Sequence, residues 1–208
     1  QSALLEAMQE RSITVAGTRH RLDPLFGVIA TRNPIEMEGT YPLPEAQLDR
    51  FLFKLVVGYP KESEYQAILN RTTSTDEVAI NHVSNGDEVG RLRETVRSVP
   101  VPEHVQTAAV RLVMATQPGS EYATAMVNDF VMMGSSPRGA QSLLLGGKVK
   151  ALLGGRFAVS TEDVHAVAVA ALRHRVMINF HGQSEGITTD AVLHEILANA
   201  KSSSVAQA

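Results

Sequence analysis

Three polar side chains occupy positions where they could act on a phosphate group: Asn33, Arg50 and Arg138. Asn33 follows a short apolar run at residues 26–31. Loops at the carboxyl ends of parallel strands form the ligand crevice of open α/β sheets, and the Asn33 amide could orient a water molecule against a phosphate there. An Asn that precedes Pro is also an ordinary turn former, so both interpretations stay open.

The two arginines differ in their relation to the dipole of the helix that carries them. Arg50 is predicted in the last turn of a short helix that begins near Pro44, where a cation is favoured. It is therefore either a structural residue or an arginine finger, which stabilises the charge on a transferring phosphoryl group. Arg138 follows the capping pair Ser136-Pro137, so it lies in a first turn, where a cation is disfavoured. An anion bound at that terminus would explain this position; the alternative is an arginine that only faces solvent.

Other possible motifs lack essential residues. Gly146-Gly147-Lys148 has neither the earlier glycine nor the following Ser or Thr of a phosphate-binding loop. His194-Glu195 begins like the helix of a zinc protease, but Ala198 stands where the second histidine would be. The seven histidines show no ligand spacing, so no metal site is predicted.

Composition excludes several classes of protein. The 208 residues include no cysteine, so no disulfide and no thiolate metal site can form, which fits a reducing compartment; the cytoplasm is the expected location. No apolar run approaches the roughly 18 residues that span a bilayer, so no membrane span is expected. A formal net charge of −3 gives no long-range attraction to nucleic acid.

The hydrophobic periodicity predicts two parts. A hairpin is expected at residues 12–22, and the apolar runs 26–31 and 51–57 are typical of strands that a parallel sheet buries on both faces. After Tyr59-Pro60 the period becomes helical. We therefore predict an α/β fragment with a partial parallel sheet at residues 1–60, an all-helical domain at 61–200 and a disordered tail at 201–208. Two strands buried on both faces need more covering helix than the first 60 residues supply, so the sheet is expected to continue in sequence outside this chain. The uncapped helical pattern at Gln1 also indicates a start in mid-domain.

Local signals place the helices of the second part. Apolar spacing predicts helices at residues 62–71, 87–98 and 102–116. Ser136 is expected to cap a helix that ends at Gly154-Gly155, Ser160 with Asp163 forms a capping-box pattern, and Thr189 is expected to cap a last helix through Ala198.

Five segments, taken in order, carry a resemblance to a known family. They are Gln1-Ser-Ala-Leu-Leu-Glu-Ala-Met-Gln-Glu10, Ala30-Thr-Arg-Asn-Pro34, Tyr41-Pro-Leu-Pro-Glu-Ala-Gln-Leu-Asp-Arg-Phe51, Ser136-Pro-Arg138 and Leu172-Arg-His-Arg175. Together they resemble the MoxR family of AAA+ ATPases over almost the whole chain. The resemblance implies the carboxyl-terminal part of a P-loop AAA+ core followed by a helical lid domain.

The resemblance also implies roles for the three polar residues. Asn33 matches sensor 1, which positions the attacking water. Arg50 matches the arginine finger, which reaches the ATP of a neighbouring subunit, and Arg138 matches sensor 2, which reports on the γ-phosphate. ATP and Mg²⁺ are the implied cofactors. The Walker A loop and the acidic Walker B pair are expected upstream of Gln1, so the isolated chain is expected neither to hold ATP tightly nor to hydrolyse it.

At the level of the whole protein, the resemblance implies a ring, commonly a hexamer, that remodels or matures client proteins in a chaperone-like way. Proteins with a von Willebrand factor A domain are the implied partners. Two alternatives stay open: a non-enzymatic assembly or adaptor module derived from the lid, and a DNA-acting relative. The second needs a basic stripe, for which Arg91, Arg93 and Arg97 are the only local cluster.

Overall fold

The computed structural model describes residues 2–31, 44–74 and 80–205. In these ranges the chain forms ten α-helices and four short strands. The first part contains α1 (Ser2–Glu10), β1 (Ser12–Val15), β2 (Thr18–Arg21) and α2 (Glu45–Leu48). The second contains α3 (Glu62–Thr72), α4 (Gly86–Ser98), α5 (Glu103–Ala115), α6 (Ala125–Phe130), β3 (Val131–Met133), α7 (Pro137–Leu153), α8 (Thr161–Leu172), β4 (Met177–Ile178), α9 (Phe180–Ser184) and α10 (Thr189–Val205).

The predicted hairpin is confirmed. Strands β1 and β2 pair antiparallel, with Ser12 opposite Arg21 and Val15 opposite Thr18. The two turn residues are Ala16 and Gly17, both with positive φ. Positive φ at both central residues is the geometry that matches the twist of a tight hairpin.

The two predicted strands of a parallel sheet are wrong for the described residues. Neither 26–31 nor 51–57 is a strand, and the strand pairs in the described ranges are β1 with β2 and β3 with β4, both antiparallel. A strand needs a hydrogen-bonded neighbour, and neither run has one here. Several of their apolar side chains are open to solvent: Ile29 is 97% exposed and Val57 is 93% exposed.

The second part is mainly helical, as predicted, but it is not all-helical, because β3 and β4 form a short antiparallel pair within it. Its core lies between α5, α7, α8 and α10. Its fully buried members come from all four helices: Val105, Ala109, Leu143, Val164, Ala168, Val192 and Leu193. Helix α7 passes close to its neighbours because it carries glycines. A Cβ on Gly146 would lie 2.8 Å from the ring of Phe53, which packs against the same core.

The capping signals are mostly confirmed. Ser136 caps α7, and Ser160 with Asp163 forms a capping box at the start of α8. At the start of α10 the Thr188 hydroxyl, not that of Thr189, accepts a hydrogen bond from the Ala191 amide.

The last helix is longer than predicted. It continues past Ala198 to Val205, into the segment expected to be a disordered tail. Alanine and lysine favour helices there, and the Ser202 hydroxyl donates to the Ala198 carbonyl, which keeps this serine compatible with a helix.

Candidate functional site

Two of the three candidate residues meet at one pocket. Arg50 and Arg138 line an open pocket of about 390 Å³ together with Met8, Gln9 and Glu10 of α1. Asn33 lies outside the described residues, so its role stays a prediction. The pocket therefore joins the end of α2, the start of α7 and the end of α1.

The turn before α7 fixes the position of Arg138. A Cβ on Gly134 would lie 2.4 Å from the Thr116 carbonyl oxygen, so only glycine allows the turn to approach the end of α5 this closely. The Ser135 amide then donates to the Thr116 hydroxyl over 2.8 Å. The Ser136 hydroxyl accepts from the Arg138 amide over 3.2 Å and starts the helix. Arg138 is thus held in the first turn of α7, as predicted.

A carboxylate of the protein itself lies beside Arg138, and the bound anion that we predicted there stays a prediction. The Asp49 carboxylate accepts from Nη1 of Arg138 over 3.0 Å, and both of its oxygens lie 3.0 Å from the Ser136 hydroxyl. Asp49 thereby offsets the unfavourable interaction between Arg138 and the helix dipole. Asp49 was not among the residues predicted from the sequence; the available signal was its place beside Arg50 in the segment from Tyr41 to Phe51 that carries part of the resemblance.

Asp49 is ionised at neutral pH. Burial by itself would raise the pKa of this carboxyl group, but hydrogen bonds from Arg138 and Ser136 and the charge of Arg175 together lower the pKa below its usual value. The pocket therefore lies beside a fixed negative charge that sits between two guanidinium groups.

Arg175, which ends the Leu172-Arg-His-Arg segment, is almost fully buried and holds the chain on both sides of Arg50. Its Nη2 donates to the carbonyl of Asp49 over 2.9 Å and to that of Phe51 over 2.7 Å. Its Nε donates to Oδ1 of Asp49 over 3.1 Å. Its Nη1 donates to the carbonyls of Leu52 and Ala171. All five N–H groups of a guanidinium are used in this way.

Further contacts attach residues 49–54, the Arg50 segment, to helix α8. His174 Nε2 lies 2.9 Å from the Phe51 carbonyl oxygen, and the Lys54 amide donates to the Ala170 carbonyl over 2.9 Å. Burial lowers the pKa of His174, so the ring is neutral at pH 7 and Nε2 carries the proton that it donates. The segment therefore has a fixed position on the helical bundle.

Arg50 itself lies just past α2 rather than in its last turn, since Asp49 is the C-terminal cap. With the Gln9 amide assigned so that its oxygen faces the guanidinium, that oxygen accepts from both terminal nitrogens, 2.7 Å from Nη2. Nε of Arg50 is buried and has no hydrogen-bond partner among the described residues. A buried, unpaired donor on a cation is a feature that a bound anion would satisfy.

Comparisons with known proteins identify the family of the chain. Residues 1–53 match the ATPase family associated with various cellular activities (AAA), and residues 123–196 match the AAA lid domain. Chaperone MoxR1 of Mycobacterium tuberculosis is 39% identical over 197 residues, which is 95% of this chain and 52% of that protein. The chain belongs to the MoxR family of AAA ATPases. YeaC of Bacillus subtilis, an uncharacterised protein, is 38% identical over 202 residues, 97% of this chain and 60% of YeaC.

A solved structure extends the likeness of this MoxR-family chain to three dimensions. The crystal structure of a candidate ATPase from Cytophaga hutchinsonii superposes with a TM-score of 0.89 at 34% identity, over 95% of this chain and 60% of that one. The chain thus spans between half and two thirds of the length of these relatives. The AAA+ fold class, with its helical lid, is confirmed.

The residues of this family member fit a phosphate group better than a metal ion. Arg50 has an unpaired buried donor, and Arg138 faces the same pocket. In the ranges that the structure covers, no cluster of three His, Asp or Glu side chains could hold a metal, so we assign no magnesium ligand to them.

Other surfaces of the chain do not favour nucleic acid. Arg93 donates to the Pro24 carbonyl over 2.6 Å, and Arg91 lines a pocket with Asp23, Asp87 and Glu94. These acidic neighbours offset the small basic cluster, so it forms no stripe. Among the described helices, none is both long and apolar enough for a membrane crossing.

Proposed function

We propose that this chain is the sensor and finger part of a MoxR-like AAA+ ATPase, which couples ATP binding and hydrolysis at subunit interfaces to chaperone-like remodelling or maturation of other proteins. One observation carries the proposal. Arg50 and Arg138, which lie 88 residues apart in sequence, line the same pocket, and Asp49 connects them.

The pocket has the donors that phosphoryl transfer to water requires. Catalysis of that reaction comes mainly from positioning and from stabilising the charge that develops on the transferring group. Arg50 supplies a guanidinium with a buried free donor, and Arg138 supplies a second cation in the first turn of α7. Because both line one pocket, we expect them to contact the same triphosphate. Asn33 is proposed to orient the attacking water.

The residues that bind the nucleotide most tightly are proposed to lie outside the printed sequence. No Gly-x-x-x-x-Gly-Lys-Ser/Thr sequence occurs in them, and the relatives are longer than this chain. ATP and Mg²⁺ would therefore be held mainly by a phosphate-binding loop and an acidic pair elsewhere in the protein. Bound Mg²⁺ would neutralise charge on the phosphates.

The proposed setting is a cytoplasmic ring, commonly a hexamer in this family, in which each ATP lies between two subunits. The name of the Mycobacterium tuberculosis relative, Chaperone MoxR1, supports a chaperone-like output. Clients, or proteins with a von Willebrand factor A domain, are the proposed partners; this rests on the family resemblance alone.

A second candidate, a non-enzymatic assembly or adaptor module, is favoured by one observation, the contact between the terminal nitrogens of Arg50 and the Gln9 side chain. The two proposals differ in what Arg50 does. In the ATPase it stabilises a transition state, whereas in an adaptor it only pairs with Gln9.

The test is Arg50→Ala in the product of the complete reading frame. We expect ATP binding to be retained and turnover to fall by about 10³- to 10⁵-fold, the effect of removing an arginine finger. Arg71→Ala, an exposed arginine in the last turn of α3, is the control and should leave turnover unchanged. Equal turnover in Arg50→Ala and wild type would exclude the finger role and favour the adaptor.

A further inference from the structure

We propose that Asp49 and Arg175 are a positioning pair that fixes Arg50 and Arg138 relative to one another, so that both can contact one phosphate group. The inference rests on the proposed function and adds two residues to it. Neither residue lines the pocket itself. They would act through the two arginines rather than on the substrate.

The first support is where Arg175 donates its hydrogen bonds. It binds the carbonyl before Arg50 and the carbonyl after it, and its side chain is only 2% exposed. The Asp49 carbonyl belongs to the peptide group before Arg50, and the amide of the peptide group after Arg50, that of Phe51, donates to the Leu48 carbonyl over 3.1 Å. Both peptide groups that flank Arg50 are therefore held, which fixes the direction in which its side chain leaves the backbone. Because every donor of Arg175 is engaged, the guanidinium cannot turn without breaking several of these bonds.

The second support is how Asp49 contacts Arg138. Only Nη1 of Arg138 binds the carboxylate, and the Arg138 side chain remains 47% exposed. One end of the guanidinium is therefore oriented while the rest of it faces the pocket. Partners behind a functional group commonly set its direction in this way.

A purely structural ion pair explains less of this geometry. A buried ion pair is weak support for stability, because desolvation offsets much of the Coulomb attraction. Asp49 instead receives bonds from Arg138 on α7, from Ser136 at the same helix start and from Arg175 after α8. The carboxylate thus connects the Arg50 segment to the start of α7, which carries Arg138, and to the end of α8.

The experiment measures ATP turnover of the complete gene product with Arg175→Lys and, separately, Asp49→Asn. Lysine keeps the charge but has three donors, so it cannot span both carbonyls and the carboxylate. We expect kcat to fall about 10- to 100-fold in each variant, as for a small misplacement of a catalytic group. The KM for ATP should change less than threefold, because ATP is proposed to be bound mainly by residues outside the printed sequence.

Arg173→Lys is the matched control. Arg173 lies two residues before Arg175 and pairs with Asp190 of α10 over 2.8 Å, away from the Arg50 segment. It should leave kcat within about twofold of wild type, since loss of a partly exposed ion pair has small effects. An equal loss of kcat in Arg173→Lys and Arg175→Lys would overturn the proposal.

A double-variant comparison distinguishes positioning from general damage. In an Arg50→Ala background, under single-turnover conditions that resolve slow hydrolysis, Arg175→Lys should lower the rate much less than it does in the wild-type background. The same fold loss in both backgrounds would overturn the positioning role. Failure of both Arg175→Lys and Asp49→Asn to fold would also overturn it, because the pair would then maintain the fold. If Arg50→Ala alone leaves turnover unchanged, the proposed function fails instead.

Discussion

One carboxylate organises the candidate site. Asp49 contacts Arg138, Ser136 and Arg175, which come from two different helix ends, and it also caps α2. Each of these residues is ordinary by itself. Their combination explains why an arginine can lie in the first turn of α7, where the helix dipole disfavours a cation.

Arg138 should make the stability of helix α7 depend on whether ATP or ADP is bound. In the complete gene product we expect Arg138→Ala to reduce the difference between ATP and ADP in amide hydrogen exchange across residues 137–153, because the contact between phosphate and helix is lost. Lys150→Ala, an exposed change in the last turn of α7, should leave that difference unchanged. Identical exchange patterns in Arg138→Ala and wild type would argue against a sensor.

Asp163 should make the stability of the helical part depend on pH in acid. Hydrogen bonds from Arg156, more than any other contact, lower its pKa to about 2. Its contribution is therefore present above its ordinary pKa of 3.8 and is lost as the pH falls through about 2. Asp163→Asn should cost about 1 kcal/mol at pH 7, the size of a helix-cap interaction.

Thermal unfolding at pH 7, 4 and 2 measures this effect. The difference between wild type and Asp163→Asn should shrink from pH 4 to pH 2. Glu121→Gln changes an exposed carboxylate and serves as the control. A difference that stays constant down to pH 2 would contradict the assignment.

The sequence alone showed the unusual position of Arg138 but not the residues that contact its side chain. The position of Arg138 against the helix dipole led us to predict a bound anion; the structure places the Asp49 carboxylate beside Arg138, and a phosphate group there stays a prediction. That Asp49 lies there, and that Arg175 supports it, depends on contacts between residues 89 and 126 positions apart. No local spacing rule reports such contacts, whereas caps such as Ser136 are local and were predictable.

At the level of elements, the helices follow from local signals and the strands do not. Apolar spacing and capping residues lie within each helix, so the bounds of α4, α5, α7 and α8 agree with prediction to within about two residues. A strand depends on a neighbour, and the runs at 26–31 and 51–57 find none in the described ranges. The hairpin was predictable because its two strands are adjacent in sequence.

Gly134 should be the least tolerant position of the connection between α6 and α7. A Cβ there meets backbone atoms of Thr116 and Gln117 at 2.4 to 2.8 Å, and backbone cannot move aside cheaply. Gly134→Ala should therefore lower the free energy of unfolding by about 3 kcal/mol, as in an overpacked site. Chemical denaturation of the variant measures this loss.

Gly90→Ala is the matched control for this change. Gly90 lies inside helix α4, and a Cβ there has nothing within 4 Å. The substitution should stabilise the protein by about 0.5–1 kcal/mol, because alanine favours helices over glycine. A Gly134→Ala variant as stable as Gly90→Ala would show that the connection can shift.

In the first part of the chain, adjacent apolar side chains are exposed to solvent, whereas the second part encloses a hydrophobic core. Leu55, Val56 and Val57 are 74%, 69% and 93% exposed and adjacent in sequence. Contiguous apolar exposure of this kind promotes association, unlike single exposed residues.

The printed residues, expressed alone, should bind the dye ANS through this run. Replacing Val56 and Val57 together by Asp should lower the dye fluorescence and reduce self-association in gel filtration. Phe180→Asp, at an isolated position that is 84% exposed, should have little effect on either. Unchanged dye binding in the double variant would mean that another surface is responsible.

The contacts of Arg175 have a mechanical consequence. Residues 49–52 cannot move relative to the end of α8 without breaking several hydrogen bonds at once, and the bond from Lys54 to Ala170 adds one more. The Arg50 segment therefore moves together with the helical bundle, although the segment precedes the predicted domain boundary at residue 60. A rotation of the helical bundle would therefore displace Arg50 together with the bundle, as one rigid body.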